Sequence, residues 1–314
     1  MKVSISGGTS YTGACIAEAF ARHGHEITAL CRAPLESYQG LRRARIERML
    51  AANVRVIGEM SVEGRAMASW IASQRFDVWI HHHHPMENFR APAYDMELGH
   101  QVAIEPLDEL FRALFVAGVR VVLHSGTYFE PGEGGRNIDV PSTPYAQLKG
   151  TLSKAVLTRA TDAGMAFGKI VISAPTGALE NEDRLTPQLI LSAEHKKTYT
   201  LRSPDSIMDM IPGETLAEIY VETALERIDA NYSNPITRRP SGWVVSAGEW
   251  AQTVQSKLLP MIDGCGPLEL SIPEEAHRAP PVVFQNPASE RVAIDWDDCW
   301  PRYAQDWRMS QPFR

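Results

Sequence analysis

The sequence predicts an α/β protein: an open, doubly wound parallel sheet followed by a smaller, irregular C-terminal lobe. Two observations carry this. Short apolar runs alternate with longer amphipathic stretches up to about residue 175, and after that point the alternation weakens and proline becomes common. Strands alternating with helices at this spacing imply βαβ units, and βαβ units imply a parallel sheet.

The elements follow in order. Val3 to Ser6 is a short buried strand, and a glycine-rich loop leads from it into a helix over Tyr11 to His23. Glu26 to Cys31 is the second strand. Leu41 to Asn53 is helical, with its arginines exposed, and Val54 to Ile57 is the third strand. A helix over Ser61 to Ser73 starts at Ser61, a good cap residue. Asp77 to Ile80 is the fourth strand, Glu97 to Ala117 a long helix, and Arg120 to His124 the fifth strand. A loop with Pro131, Gly132, Gly134 and Gly135 precedes a helix over Pro144 to Ala163. Phe167 to Ile172 is the sixth strand. The division expected is a nucleotide-binding part over 1–175 and a substrate-binding lobe over 176–314 with segments that return to the core.

Composition narrows the function. With 44% hydrophobic residues the chain is globular, and a formal charge of −7 argues against non-specific nucleic-acid binding, which needs a basic face. No run of 18 apolar residues occurs, so no membrane span is expected. The opening MKVSISGGTS has no signal-peptide pattern. Cys15, Cys31, Cys265 and Cys299 show no CxxC spacing, so the reading is reduced thiols, a cytoplasmic protein and no zinc.

Gly7, Gly8, Thr9, Ser10, Tyr11, Thr12 and Gly13 lie between the first strand and the first helix. This is where a Rossmann-type fold places a pyrophosphate: glycines permit the tight turn, and the helix N-terminus offers N–H groups and positive dipole. Arg32 ends the second strand. An acidic residue there would accept the ribose hydroxyls of NAD. Arg32 instead suits a 2′-phosphate, so NADP(H) is favoured over NAD(H).

Tyr145 and Lys149 stand four residues apart, on one face of the Pro144 to Ala163 helix. An ammonium beside a phenol stabilises the phenolate, and a tyrosine so prepared can give or take a proton at a carbonyl or hydroxyl.

Together these residues resemble the extended short-chain dehydrogenase/reductase superfamily, in its NAD(P)-dependent epimerase/dehydratase-like branch. The loop Gly7 to Gly13 is similar to that branch's Gly-x-x-Gly-x-x-Gly, with Ser10 in place of the middle glycine. Gly58-Glu59 resembles a Gly-Asp that contacts adenine, and Val121 to Ser125 resembles the strand ending in the active-site Ser or Thr. Met208 to Ile211, then Glu214 and Ala217, resemble a later Arg-Asp-Phe-Ile segment and its helix. The Asp295 to Asp298 end has a similar look. The resemblance implies that Tyr145 is the acid/base, that Lys149 lowers its pKa and holds the nicotinamide ribose, and that Ser125 bonds the substrate oxygen and Tyr145, with Thr127 as the alternative. It implies a hydride transfer assisted by these residues on a hydroxyl or carbonyl carbon, with nucleotide sugars as the substrate class. It also implies a homodimer built from the Glu97 and Pro144 helices, whose faces are Ala103, Leu107, Leu110, Leu114, Ala117 and Leu148, Leu152, Ala155, Val156, Arg159.

Several residues depart from that pattern. His81, His82, His83 and His84 end the fourth strand where His-x-Ala-Ala is usual. Alternating strand residues face opposite sides, which disfavours a four-histidine metal site. Neutral hydrogen-bonding histidines crowding the pocket fit better. His83 is assigned to the cofactor side, and His84, with Thr127, Arg136 and Arg202, to the substrate side. Met208, and Ser173-Ala174-Pro175-Thr176, remove positive charge that often holds a diphosphate. Arg136, Arg184, Arg202, Arg238 and Arg239 are the cations left. Two alternatives follow: a reductase of a non-nucleotide ketone or aldehyde, and a non-catalytic NADP(H)-binding sensor or scaffold.

Overall fold

The computed structural model describes residues 1–61, 65–84, 94–133, 143–229, 234–277, 282–286 and 288–314. In chain order the elements are β1 (Lys2–Ser6), α1 (Tyr11–Arg22), β2 (Glu26–Leu30), α2 (Gly40–Ala51), β3 (Arg55–Ile57), α3 (Arg65–Ala72) and β4 (Val78–His81). Then come α4 (Met96–Ala103), α5 (Leu107–Ala117), β5 (Val121–Thr127), α6 (Pro144–Asp162), β6 (Ala166–Ile172), β7 (Ala174–Thr176), α7 (Leu185–Glu194) and β8 (Tyr199–Thr200). The rest is β9 (Ile207–Pro212), α8 (Gly213–Asp229), β10 (Ile236–Arg238), β11 (Pro240–Ser241), β12 (Trp243–Ser246), α9 (Ala247–Thr253), β13 (Leu270–Ser271), β14 (Val283–Phe284), β15 (Glu290–Arg291) and α10 (Trp296–Ser310).

The main sheet has seven strands in the order β10-β6-β5-β4-β1-β2-β3. Every pairing in it is parallel. Side chains alternate across it and feed two cores. Val78, Ile80, Val121 and Leu123 pack with α1 and α8 on one face. Trp79 and Val122 pack with α3, α5 and α6 on the other. A strand buried on both faces must be apolar at nearly every position, and this is why these runs were readable as strands. A third core joins α7, α9 and α10 around Trp250, Trp300 and Trp307.

Two boundaries differ from expectation. The single helix over Glu97 to Ala117 is two helices, α4 and α5, divided at Ile104 to Pro106. Pro106 has no N–H to continue the ladder and restricts the residue before it. The fifth strand runs on to Thr127, three residues past His124. The start of the helix expected from Ser61 falls on residues 62–64, outside those described, and α3 is described from Arg65.

The stripes suggested for a dimer are used inside the chain. Ala103, Leu107, Leu110, Leu114, Ala117, Leu148, Leu152 and Val156 all lie in the second core, and Ala155 packs against it. No helix among the described residues is long and apolar enough to cross a membrane.

Candidate active site

The glycine loop turns tightly between β1 and α1. Gly7 has a φ of 75°, in the left-handed region that suits glycine. A Cβ on Gly13 would strike the Gly7 carbonyl oxygen and come within 3.1 Å of the His82 ring. Ser10 caps α1: its Oγ accepts from Gly13 N–H at 3.0 Å. Thr9 gives its carbonyl oxygen to the Arg45 guanidinium at 3.0 Å. Thr12 is buried. Tyr11 leaves the loop and donates to the Thr176 carbonyl at 2.6 Å.

The histidine run divides between the faces. His81 lies on the α6 side, stacked on His124 with ring centroids 5.6 Å apart. His82 goes the other way, under the loop. One ring nitrogen meets Ser10 Oγ at 2.9 Å and the other meets Ser125 Oγ at 2.7 Å. Ser125 Oγ also meets the Tyr220 hydroxyl at 2.7 Å. A polar chain therefore runs Ser10–His82–Ser125–Tyr220, from the loop into α8. It explains why a serine can stand at the middle position of the loop: His82 gives its hydroxyl a partner. Burial, then the Lys149 charge, pushes His82 down to about 3 and His83 to about 4. The same causes hold His84 well below the usual histidine range. These rings are neutral near pH 7. Among the described residues, no group of three or more histidine, cysteine or carboxylate side chains is arranged to hold a metal.

Tyr145 and Lys149 share the buried face of α6. Thr143 caps this helix and Pro144 opens it. The Lys149 ammonium donates to the Ser125 carbonyl at 2.7 Å. Burial lowers its pKa to about 8, with Glu130 opposing and Lys169 assisting. The phenol differs from expectation. Burial, followed by the charge of Glu130, pushes Tyr145 up rather than down. The ring sits beside His84, with centroids 5.1 Å apart, and beside Tyr94.

Ser125 also differs. Its side chain projects to the α1/α8 face, where His82 and Tyr220 engage it, while Tyr145 belongs to the opposite core. The expectation that its hydroxyl reaches Tyr145 is not met in this arrangement. Thr127, the alternative hydroxyl, ends β5 two residues further on, and by strand alternation it shares the parity of Ser125.

Of the remaining predicted residues, Arg32 is exposed at the end of β2 and its charge acts on His83. Glu59 has a φ of 60° and donates its N–H to the Ala33 carbonyl at 3.1 Å. Arg202 is exposed near Tyr199. Arg136 lies outside the described residues. Arg184, Arg238 and Arg239 are paired to Glu180, Glu226 and Glu133. Beyond Thr127 an aromatic wall appears: Phe284 packs on Tyr128 and Phe129, each with centroids 5.5 Å apart. The sequence reading missed Glu130, Glu133 and Lys169, which form a buried charged network below Thr127.

The family model of the NAD dependent epimerase/dehydratase family matches residues 3–234. The chain belongs to this family. No curated protein sequence matches it. Among solved structures it resembles a UDP-glucose-4-epimerase from Stenotrophomonas maltophila with bound NAD and formylated UDP-arabinopyranose, at 18% identity, 99% coverage of both chains and a TM-score of 0.75. It resembles a UDP-glucose 4-epimerase from Thermotoga maritima with UDP-glucose at 12% identity, with 99% and 100% of the two chains covered and a TM-score of 0.73. A third is the dTDP-glucose 4,6-dehydratase DesIV from Streptomyces venezuelae, with NAD and TYD bound, at 12% identity, 99% and 98% coverage and a TM-score of 0.72. At these identities the likeness is one of fold.

The site of this family member fits a nicotinamide dinucleotide. The loop presents the α1 N-terminus beneath close-packed glycines. The ring nitrogens of His83 and His84 are shielded from solvent and have no hydrogen-bond partner among the described residues. Shielded, unpaired nitrogens are costly, and a ligand's hydroxyl or amide groups would satisfy them.

Proposed function

We propose that this chain is a nicotinamide-dinucleotide-dependent oxidoreductase of the epimerase/dehydratase type, acting at a hydroxyl or carbonyl carbon of a nucleotide sugar. The observation that carries the reading is the placement of Tyr145 and Lys149 on the buried face of α6, near the open end of β5, within the span of the family match. The family relationship and the bound ligands of its structural relatives support the substrate class.

In this reading the α1 N-terminus with Gly7, Thr9, Ser10, Tyr11, Thr12 and Gly13 holds the pyrophosphate, Glu59 stands at the adenine end, and His83 meets the ribose. A nicotinamide bound there would supply the hydride transfer. Tyr145 carries the proton at the reacting oxygen. Lys149 orients the ribose, and its charge stabilises any negative charge formed on that oxygen. Ser125, with Thr127 as the alternative, gives that oxygen its hydroxyl partner. A phenol with a raised pKa begins as an acid, which suits protonation of a carbonyl oxygen. Arg32 at the end of β2 supports a 2′-phosphate, so we propose NADP(H) as the preferred form.

The test is direct. The purified chain is incubated with NAD(P)⁺ and a panel of UDP- and dTDP-sugars, and products are followed by NMR. Turnover of one sugar nucleotide, lost in Tyr145→Phe with cofactor still bound, is the expected result. Near-normal rates in Tyr145→Phe would remove the mechanism. Titration with NADPH and NADH by nicotinamide fluorescence decides the cofactor, and a preference for NADH removes Arg32 as a phosphate ligand.

A further inference from the structure

Glu130 grips Thr127 from both ends. Its N–H donates to the Thr127 carbonyl at 3.0 Å, and its Oε1 accepts from the Thr127 N–H at 2.8 Å. Its second oxygen accepts from Ser153 of α6 at 2.8 Å and from Lys169 of β6 at 2.6 Å. Ser153 Oγ in turn meets the His124 ring at 2.9 Å. Lys169 makes a second bond to Glu133 at 2.8 Å. The other oxygen of Glu133 accepts from Arg239 at 2.7 Å and from Asn286 at 2.9 Å.

Glu130, Glu133, Lys169 and Arg239 thus balance, two charges of each sign, and both carboxylates are buried. Burying two carboxylates is costly even when they are paired with cations, and an apolar set of similar volume is often as stable. Stability alone therefore gives little reason for the cluster. What the cluster does is hold one backbone position, Thr127 at the end of β5, and tie it through Ser153 to α6, the helix of Tyr145 and Lys149.

We propose that Glu130 is a positioning residue of the acid/base site, whose carboxylate fixes the end of β5 at Thr127, ties it through Ser153 to α6, the helix that carries Tyr145 and Lys149, and, through Lys169 and Glu133, anchors that turn to Arg239 and Asn286 of the C-terminal half. The proposal rests on the reading of Tyr145 as the acid/base group. Its electrostatic corollary has one sign for both catalytic side chains. An anion here disfavours the Tyr145 phenolate and favours the Lys149 ammonium, so both keep their protons.

Lys149 is the better reporter, because it titrates near pH 8. The charged and titratable groups facing it are Glu130 from the turn, Lys169 from β6, His124 from β5 and the four histidines ending β4. Of these only Glu130 is anionic. Removing its charge should therefore lower the Lys149 pKa, by roughly one unit.

The full chain is labelled with [ε-13C]lysine and 15N, and Lys149 is assigned through Lys149→Arg. In Glu130→Gln the Lys149 resonance is expected to titrate at lower pH. The Thr127 amide should stay bonded there, since a carboxamide oxygen still accepts, and should be released in Glu130→Ala. Unchanged Lys149 titration in a folded Glu130→Gln protein would overturn the proposal. If Glu130→Gln does not fold, Ser153→Ala decides, because it removes one bond to Glu130 and exposes no charge. The Thr127 amide resonance should then shift, and an unmoved Thr127 sinks the idea. No substrate enters these measurements, so they can fail while Tyr145→Phe still abolishes turnover, and the converse also holds.

Discussion

The Lys149 ammonium donates to the Ser125 carbonyl oxygen at 2.7 Å, and this bond sets the level of the whole site. It also ties a buried cation to the strand whose end carries Thr127. Burial brings Lys149 to about 8, so the free protein begins to lose this charge just above neutrality. The expected consequence is a fall in kcat/KM above about pH 8, since that ratio reports groups of the free enzyme. Lys149→Arg keeps the charge and should carry the falling limb to higher pH. Lys149→Met should lower turnover by roughly 100-fold or more. A profile flat to pH 10 in the unsubstituted protein would contradict the assignment.

Tyr11 fits between two glycines. A Cβ on either Gly177 or Gly213 would collide with its phenol oxygen, which already donates to the Thr176 carbonyl at 2.6 Å. Gly177→Ala must therefore push aside a side chain at the start of α1. Overpacking of this kind costs about 1–3 kcal/mol, read as a lower urea midpoint. Because the displaced residue belongs to the glycine loop, NAD(P)H affinity should fall as well. Tyr11→Phe removes the oxygen that is struck. The double variant should therefore lose less stability than the two single losses added together, and strict additivity would show that the glycines are not spaced for Tyr11.

Five histidines, His81, His82, His83, His84 and His124, are held neutral chiefly by burial. In the unfolded chain each titrates near pH 6.5. Between that value and the lower folded values the unfolded state binds more protons, so stability falls as pH falls. Glu180 acts oppositely. Burial raises it to about 7, so its contribution favours the folded state at low pH and declines as pH rises toward 7. Glu18, Asp209 and Asp306 are pushed up by burial more modestly and act with Glu180, and the larger downward shifts of the five rings outweigh them. The free protein should lose stability steeply from pH 6.5 to pH 5 in urea titrations, with Glu180→Gln making the loss steeper. Equal midpoints at pH 5 and pH 7 would show that the rings are not held neutral.

Much of this was legible from local pattern, and the rest depended on pairings that no local pattern carries. The sheet could be read because strands such as Val78–His81 and the first half of Val121–Thr127 are buried on both faces and so are runs of apolar residues. Tyr145 and Lys149 could be read because helical spacing puts i and i+4 together wherever the helix lies. The break before α5 also had a local signal in Pro106, which the long apolar stripe concealed. The direction of Ser125 had none. A strand alternates strictly, but only the packed helices say which parity faces α6. Nor does any spacing rule join Glu130 to Lys169 across 39 residues. The histidine run was read as a crowded pocket, and that reading did not show that His82 turns under the loop to pair with Ser10.

Arg48 joins α1, α8 and α10. Its guanidinium reaches Glu18 of α1 at 2.7 Å, Glu214 of α8 at 3.0 Å and Asp306 of α10 at 2.8 Å. One cation thus serves carboxylates from three helices, and Glu18 is nearly buried. Removing the cation leaves Glu18 charged, shielded and unpaired. Arg48→Met should cost about 3 kcal/mol at pH 7, the lower end of what breaking a buried pair costs, because Arg48 is itself partly exposed. Arg48→Lys should recover only part of this, since an ammonium lacks the planar fork that spreads to three partners. The penalty has a pH signature. Glu18 is already pushed up by burial and, without Arg48, takes up a proton more readily. The difference between variant and unsubstituted protein should therefore shrink from pH 7 to pH 5, although both proteins lose stability as their histidines charge. A difference that is constant or grows across that range would place the cost in lost packing of the arginine stem rather than in a stranded carboxylate.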